Sequence, residues 1–300
     1  MTMTTITTTS LPNPFHRGKV RDTYDLGGGL LLMVATDRIS AFDVVLPTGV
    51  PEKGVVLSRM SAFWFRKTAH IIPNHYIAMA NEPAARPHLP ANLPPEIARR
   101  AMVVRRAQRI DVECVARGYI AGSAWAEYQA SGAIFGAPAP KSLKEGQELS
   151  KPIFTPTTKA EAGHDMNMTI QQVVNMVGPA RAAELEAKTI AVYNFAREYA
   201  RQRGVIIADT KMEFGLLNGQ LILIDELLTP DSSRFWDAAA YSLGKSQPNY
   251  DKQFVRDWLN SAGWNHEPPA PALPSAIVQK TVERYKEAYA RLTGEDPSHI

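Results

Sequence analysis

The sequence predicts an α+β fold. Two observations carry this: antiparallel hairpins marked by glycine turns stand apart from blocks of helical periodicity, and no strand–helix–strand alternation runs along the chain. A 300-residue chain that is 45% hydrophobic and 21% charged can bury a sizeable core, in one large or two modest domains. That composition excludes a disordered or fibrous protein.

The first element is a hairpin: KVRDTYDL and LLLMVAT are strand-forming runs joined by three glycines, so an antiparallel N-terminal sheet is expected. VVLSRMSAFWFRKT follows, with Val56, Met60, Phe63 and Trp64 at helical spacing. From Met102, MVVRRAQRIDVECVARG returns to strand patterning, and a lobe boundary is placed between residues 108 and 109. Residues 137–164, rich in Pro, Lys and Gly, read as a long irregular connection, a candidate active-site loop that includes His164 and Asp165. Helical signals resume over 178–204, where Leu185, Thr189, Val192, Ala196 and Tyr199 form one face and arginines gather toward the C-terminal end. A last helix over 275–292 repeats that design with Val278, Val282, Tyr285, Tyr289 and Leu292, a pattern that favours packing.

Charge and cysteine usage narrow the function classes. The formal net charge is +3 with scattered basic residues, which gives no reason to expect nucleic acid or an anionic membrane as partner but leaves small anionic ligands open. The longest wholly apolar run, Leu30–Ala35, is far short of a membrane span, and MTMTTITTTS lacks the basic flank and apolar stretch of a signal peptide; a cytoplasmic location is expected. Cys114 is the single cysteine, excludes an intrachain disulfide, and within VECVA reads as a buried strand thiol. Aromatic residues of the C-terminal third suit an oligomer interface and a core equally.

The chemistry concentrates in VIIADTKMEFGLLNGQLILIDELLTPDSSRFW, residues 205–236. Strand alternation puts Asp209, Lys211 and Glu213 on one face. The place of Asp225 depends on the turn. A two-residue Asn218-Gly219 loop pairs Glu213 with Ile224 and sends Asp225 to the other face; a three-residue loop through Gln220 pairs Glu213 with Asp225. Two carboxylates about 5 Å apart repel by roughly 3 kcal/mol at an effective dielectric of about 20, which demands a cation or a raised pKa. Mg²⁺ suits such a pair, because it takes one or two protein carboxylates and fills its other positions with phosphate oxygens and water. The plainer alternative is a surface ladder in which Lys211 neutralises its neighbours.

TPDSSR adds an acid, two hydroxyls and Arg234 directly after the acidic strand, a composition suited to holding an anion beside a metal. Arg17, Lys19 and Arg21 are expected on one strand face beside the glycine turn, as phosphate contacts would require. Together these suggest a metal–nucleotide cleft. No GxxxxGK[ST], GxGxxG or GxSxG occurs, and His70 and His75 lack a cysteine partner for a zinc site.

Several long strings, among them GKVRDTYDL, ATDRISAFDVVLPTGVPEKGVVLSRMSAFWF, VECVARGYIAGSAW, IADTKMEFG, DELLTPDSSRFW and SQPNYDKQFVRDWL, resemble the phosphoribosylaminoimidazole-succinocarboxamide synthase (SAICAR synthetase) family over residues 15–259. The resemblance implies a kinase-like pair of lobes: a β-rich, ATP-binding lobe over 1–108 above a larger α+β lobe over 109–300 that binds substrate and metal. It also implies ligation of carboxyaminoimidazole ribonucleotide (CAIR) to L-aspartate with ATP and Mg²⁺, through an acyl phosphate. A small-molecule kinase with the same lobes is the alternative.

The family pattern assigns ATP contacts to Lys19, Arg21 and Lys211, an adenine hinge to the backbone of 105–111, and Mg²⁺ to Glu213 and Asp225, a spacing that favours the three-residue loop. It implies a ribonucleotide site at Arg117, Ser123, Ser232 and Arg234, with Lys211, Asp209 and Asp231 as catalytic candidates and Asp231 nearby on ribose or metal. Ser40 and Asp43 are expected at the CAIR and aspartate end, and Lys252 and Arg256 on substrate anions. One departure stands out. HDMNMT carries Met166 where related sequences read Glu, which leaves Asp165 and Asn167 to carry any role that Glu has.

Overall fold

The computed structural model describes residues 5–135, 137–159, 166–250 and 252–297. In chain order it opens with β1 (Pro14–Arg17), β2 (Arg21–Gly27) and β3 (Leu30–Ala35), a two-residue pair β4 (Ser40–Ala41) and β5 (Val44–Val45), and helix α1 (Lys53–Thr68). Then come β6 (Tyr76–Met79), a 3₁₀ turn (Pro83–His88), α2 (Pro95–Ala98), β7 (Ala101–Arg105) and the long β8 (Gln108–Tyr119). Helix α3 (Ser123–Ser131), short strands β9 (Ala133–Ile134) and β10 (Ala137–Pro138), β11 (Glu148–Phe154) and β12 (Thr157–Thr158) lead to α4 (Ile170–Val177) and α5 (Pro179–Arg201). The chain closes with β13 (Val205–Leu217), β14 (Gln220–Ile224), β15 (Ser233–Asp237), α6 (Gln253–Ser261) and α7 (Ser275–Thr293).

Two antiparallel sheets organise these elements, in keeping with the expected α+β class. The first has the order β1-β2-β3-β7-β6. Its β2–β3 hairpin turns at Gly27, Gly28 and Gly29, all at positive φ, where a side chain would be strained. The second has the order β11-β8-β13-β14, with β12 also on β8 and β15 also on β13. The thirteen-residue β13 is its axis: β14 pairs with the C-terminal half, β15 with the N-terminal half, and β8 runs along the other edge.

Helix α5 covers the back of the second sheet. Leu185, Val192, Tyr193 and Ala196 bury against Cys114, Ala116, Met212 and Phe214. The Tyr193 hydroxyl donates to the Ile207 carbonyl at 2.7 Å, and a Cβ at Gly118 would stand 2.0 Å from that hydroxyl, so glycine is required there. Burial pushes the Cys114 thiol well above its usual range, as suits an inert core thiol. Helix α7 buries Tyr285, Tyr289 and Leu292 in the same core and anchors α1 through Lys286 on Glu52 at 2.7 Å.

Three expectations are corrected. Arg17, Lys19 and Arg21 do not share a strand, because Gly18 donates its N–H to the Arg21 carbonyl at 2.7 Å and the chain turns there, leaving Arg17 on β1 and Arg21 on β2. The β13–β14 turn is the two-residue Asn218-Gly219 form, with φ of 52° and 78°, so Glu213 pairs with Ile224 and not with Asp225. The 137–164 stretch is not wholly irregular, since β11 and β12 add to β8. His164 and Asp165 lie outside the described residues.

Candidate active site

The axis strand and its neighbours write one row of charge across a sheet face. Asp209, Lys211 and Glu213 alternate along β13, and the β8 register sets Arg117 opposite Asp209, Val115 opposite Lys211 and Glu113 opposite Glu213. On the other side, Arg234 of β15 pairs with Asp209. Four residues of strand separate Asp209 from Glu213, about 13 Å at the usual strand rise. One end of the row is rich in arginine and the other in carboxylate.

At the acidic end, the Glu113 and Glu213 side chains lie across the strand pair from one another and are both buried. Lys159 contacts Glu213 and comes within 3.8 Å of Glu113; Lys211 contacts Glu113 and lies 4.0 Å from Glu213. Asp225 joins them although the register points it away. Its φ of +67° bends the backbone immediately after β14, and its charge is felt by Glu213. Arg21 then clamps two acids at once, Asp225 at 2.6 Å and Glu226 at 3.0 Å.

The titration behaviour follows from this crowding. Burial and then the charge of Asp225 raise Glu213 above the ordinary carboxylate range, against Lys159 and Lys211. Burial also acts to raise Asp225, but Arg21, Lys159 and Lys211 outweigh it and hold that acid down at about 2. Burial pulls the Lys211 ammonium down, yet Glu213 and Glu113 more than compensate and it stays charged. Among the described residues no three His, Cys, Asp or Glu side chains form a ready metal cage.

At the other end, Arg117 and Arg234 share the Asp209 carboxylate at 3.0 and 2.5 Å. Arg117 also donates to Thr155 Oγ1 at 3.0 Å and Ser123 Oγ at 3.3 Å, and its guanidinium stacks over the Phe135 ring. Burial lowers the Arg117 pKa, with Asp209 opposing, but a guanidinium remains charged. The trio carries a net +1 charge. Gly122 has φ +56°, and a Cβ there would meet the Arg234 guanidinium at 2.2 Å. A cavity of about 160 Å³ adjoins, lined by Gly122, Trp125, Arg234, Trp236, Lys245 and Gln247 among others.

The remaining candidates lie off this row. Lys19, half-exposed, pairs with Asp43 at 2.5 Å, and Ser40 sits on the β4–β5 pair nearby. Asp231 is buried between Lys53 at 2.8 Å, Lys252 at 3.0 Å and the Tyr285 hydroxyl at 2.6 Å, so Asp231 and Lys252 are joined in an internal cluster. Ser232 braces its own turn by accepting from Thr229 N, while its carbonyl accepts from Lys211 N at 2.8 Å. Arg256 donates to Gln253 within α6. In the hinge segment, the N–H groups of Arg105 and Arg106 donate to the His75 and Gly29 carbonyls. Met166 is 68% exposed, and Thr158 holds it through the backbone.

Sequence patterns alone give no site role to Glu113, Lys159, Glu226 or Lys53. Glu113 did carry a signal, a lone acid inside the apolar string VECVA, but its pairing with Glu213 emerges only from the β8–β13 register.

Among the described residues no helix is long and apolar enough to cross a membrane. A phosphoribosylaminoimidazole-succinocarboxamide synthase of Thermodesulfovibrio yellowstonii is 50% identical over 279 residues, 93% of this chain and 94% of that one. The enzyme of the same name from Geobacter metallireducens is 51% identical over 282 residues, with the same coverage. A solved SAICAR synthase from Saccharomyces cerevisiae, complexed with SAICAR, superposes with a TM-score of 0.89 at 42% identity, covering 97% of this chain and 99% of that one. A type-2 SAICAR synthetase in complex with ADP gives a TM-score of 0.69 at 25% identity, over 94% and 98%. The SAICAR synthetase family model matches residues 14–271, and the chain therefore belongs to the SAICAR synthetase family, the ATP-dependent ligases of purine biosynthesis that condense CAIR with L-aspartate.

Proposed function

We propose that the charged row on the second sheet divides the ligation between its two ends, with ATP at the acidic end and the CAIR ribonucleotide phosphate at the arginine end. The observation that carries this is the row itself: a carboxylate group and a two-arginine cradle on one face, about 13 Å apart along one strand. Arg117, Ser123 and Arg234, organised by Asp209, suit bidentate phosphate binding. Ser232 supports the turn that carries Arg234.

Glu213 and Asp225 are the proposed Mg²⁺ ligands. Two carboxylates, an all-oxygen pair, suit an ion that completes its shell with phosphate oxygens and water. Mg²⁺ there would neutralise the charge shared by the β- and γ-phosphates. Lys211, Arg21 and Lys19 supply further positive charge around the nucleotide. An oxygen of the CAIR carboxylate attacks the γ-phosphorus while the bond to the ADP oxygen breaks, giving an acyl phosphate. The aspartate amine then attacks the acyl carbon, the carbon–oxygen bond to phosphate breaks, and the amine proton passes to phosphate or a neighbouring carboxylate. The chain's contribution is placement and charge neutralisation. Ser40, Asp43 and Arg256 stand toward the aspartate side in this reading; Lys252 acts through Asp231, fixing the TPDSSR turn.

The division into lobes at residues 108 and 109 is part of the same proposal, supported by the first sheet ending at Arg105 and the second beginning at Gln108. A cytoplasmic site of action accords with the small-molecule substrates.

The test is ADP release by purified protein with ATP, Mg²⁺ and CAIR, with and without L-aspartate, together with the product mass. Aspartate-dependent release and a succinocarboxamide product are expected. A stable phosphorylated product formed without aspartate would establish a kinase instead.

A further inference from the structure

In the turn between β1 and β2, three successive carbonyls are held by the two residues Thr36 and Arg38, which follow β3. The Gly18 carbonyl accepts from Arg38 Nη2 at 3.0 Å and the Lys19 carbonyl from Arg38 Nε at 3.0 Å. The Val20 carbonyl accepts from both the N–H and the hydroxyl of Thr36 at 2.9 Å. A trans peptide sets its N–H opposite its C=O. The Lys19 and Val20 N–H groups therefore point away from Arg38, and among the described residues neither donates a hydrogen bond. Successive N–H groups turned one way form a concave seat for an anion. Lys19 itself is exposed, so its ammonium stands beside that seat.

The remaining donors of Arg38 are engaged too. Nη2 and Nη1 reach the two oxygens of buried Asp22 at 2.7 and 3.3 Å, and Nη1 also donates to the Thr7 carbonyl at 2.7 Å. All five guanidinium N–H groups are thereby committed. An ion pair with Asp22 would use two of them; the other three hold backbone, and two of those hold this turn. Asp22 accepts in addition from the Thr9 hydroxyl at 2.6 Å. With its charge matched by Asp22 and no donor left over, Arg38 does not itself reach a phosphate. We propose that Arg38 is the positioning residue for the nucleotide-phosphate turn: its fork fixes the Gly18 and Lys19 carbonyls inward and so presents the Lys19 and Val20 N–H groups, beside the Lys19 ammonium, to the phosphates of ATP. The inference rests on the reading of Lys19 as an ATP contact.

The test is steady-state kinetics with ATP or CAIR varied, for wild type, Arg38→Lys, Thr9→Val and Lys19→Met, with urea unfolding of each chain. Arg38→Lys keeps a cation beside Asp22 but lacks the fork that holds both carbonyls. Thr9→Val strips a bond from the same Asp22 and leaves the turn untouched. Hydrogen bonds to a charged group are strong, so Arg38→Lys should raise the KM for ATP about tenfold or more and leave the KM for CAIR within about twofold. Thr9→Val should lower the urea midpoint while both KM values stay within about twofold. In wild type, amide hydrogen exchange at Lys19 and Val20 should be fast in the free chain and slowed about tenfold or more by a non-hydrolysable ATP analogue with Mg²⁺. An unchanged KM for ATP in Arg38→Lys, with a raised one in Lys19→Met, overturns the role of Arg38 alone. A wild-type KM for ATP in Lys19→Met overturns the nucleotide assignment of the turn and this inference with it. Equal rises for ATP and CAIR in Arg38→Lys, a rise for ATP matched by Thr9→Val, or an Arg38→Lys chain that does not fold assigns Arg38 to the fold and overturns the proposal. Exchange that the analogue does not slow overturns it as well, without recourse to any variant.

Discussion

Asp225 reaches Glu213 through one dihedral angle, and several other single residues carry comparable weight. Under the proposed metal assignment, removing either acid removes a ligand that ATP phosphates cannot replace, so Glu213→Ala and Asp225→Ala should abolish turnover while the protein remains folded. Wild-type rates in both would sink the metal assignment. Arg117→Lys keeps the charge but loses the fork that reaches Asp209, Thr155 and Ser123 together; its KM for CAIR should rise at least tenfold, with a smaller change in kcat. Asp231 is a structural acid of the same importance. Burial would raise it, but Lys252 and Lys53 hold it far below its usual range. Its contribution to stability is therefore complete above about pH 4, the unfolded carboxylate value, and is lost as acid takes the pH below that toward the folded one. Asp231→Asn leaves Lys53 and Lys252 unneutralised in the interior and should cost about 3–5 kcal/mol at pH 7. Its urea midpoint should also change less than wild type's between pH 4 and 2.

At the scale of elements, hairpins and long amphipathic helices were legible in the sequence and register was not. The glycine tip of β2–β3, the apolar spacing in α1 and the faces of α5 and α7 are local patterns, and the elements formed where the patterns lay. The turn after β13 was readable too, because Asn-Gly favours the two-residue form; the family spacing pointed to the longer loop only because the two acids had to meet. They meet by a backbone bend that no periodicity encodes. Helix α4 was missed in the sequence although its Thr169–Gln172 capping box is a local signal, because loop-like residues precede it. Glu113 and Lys159 were hidden for another reason: they reach Glu213 from β8 and from beyond β12, across distances in sequence that single-strand patterns do not span. Close packing of α5 on β8 gives a test at this scale. Gly118→Ala drives a methyl into the Tyr193 hydroxyl and should destabilise by about 1–3 kcal/mol, seen as a lower urea midpoint with an unchanged slope.

Across the whole molecule, charge is arranged so that ligand and fold support each other. Arg21 of β2 clamps Asp225 and Glu226 at the end of β14, so the two sheets meet through charge at the acidic end. A nucleotide and metal that bind only the folded chain add stability; at one hundred times Kd the increment is about 2.7 kcal/mol. ADP with Mg²⁺ should therefore raise Tm more than ADP with a chelator, and Asp225→Asn should erase the difference. Equal shifts with and without the metal would show that ADP alone supplies the stabilisation.

The span of the Arg21 clamp also sets an order of assembly. Asp225 lies 204 residues further along the chain and Glu226 just beyond it, and the Asn74–Leu223 bridge joins residues 149 apart. Contacts so distant in sequence form late, after local hairpins and helices. On the ribosome, the first sheet emerges long before its acidic counterpart exists. On the proposed site, a nascent chain of about 105 to 224 residues has every strand of the first sheet but lacks Asp225, so capture of a metal–nucleotide would wait until synthesis is about three-quarters complete.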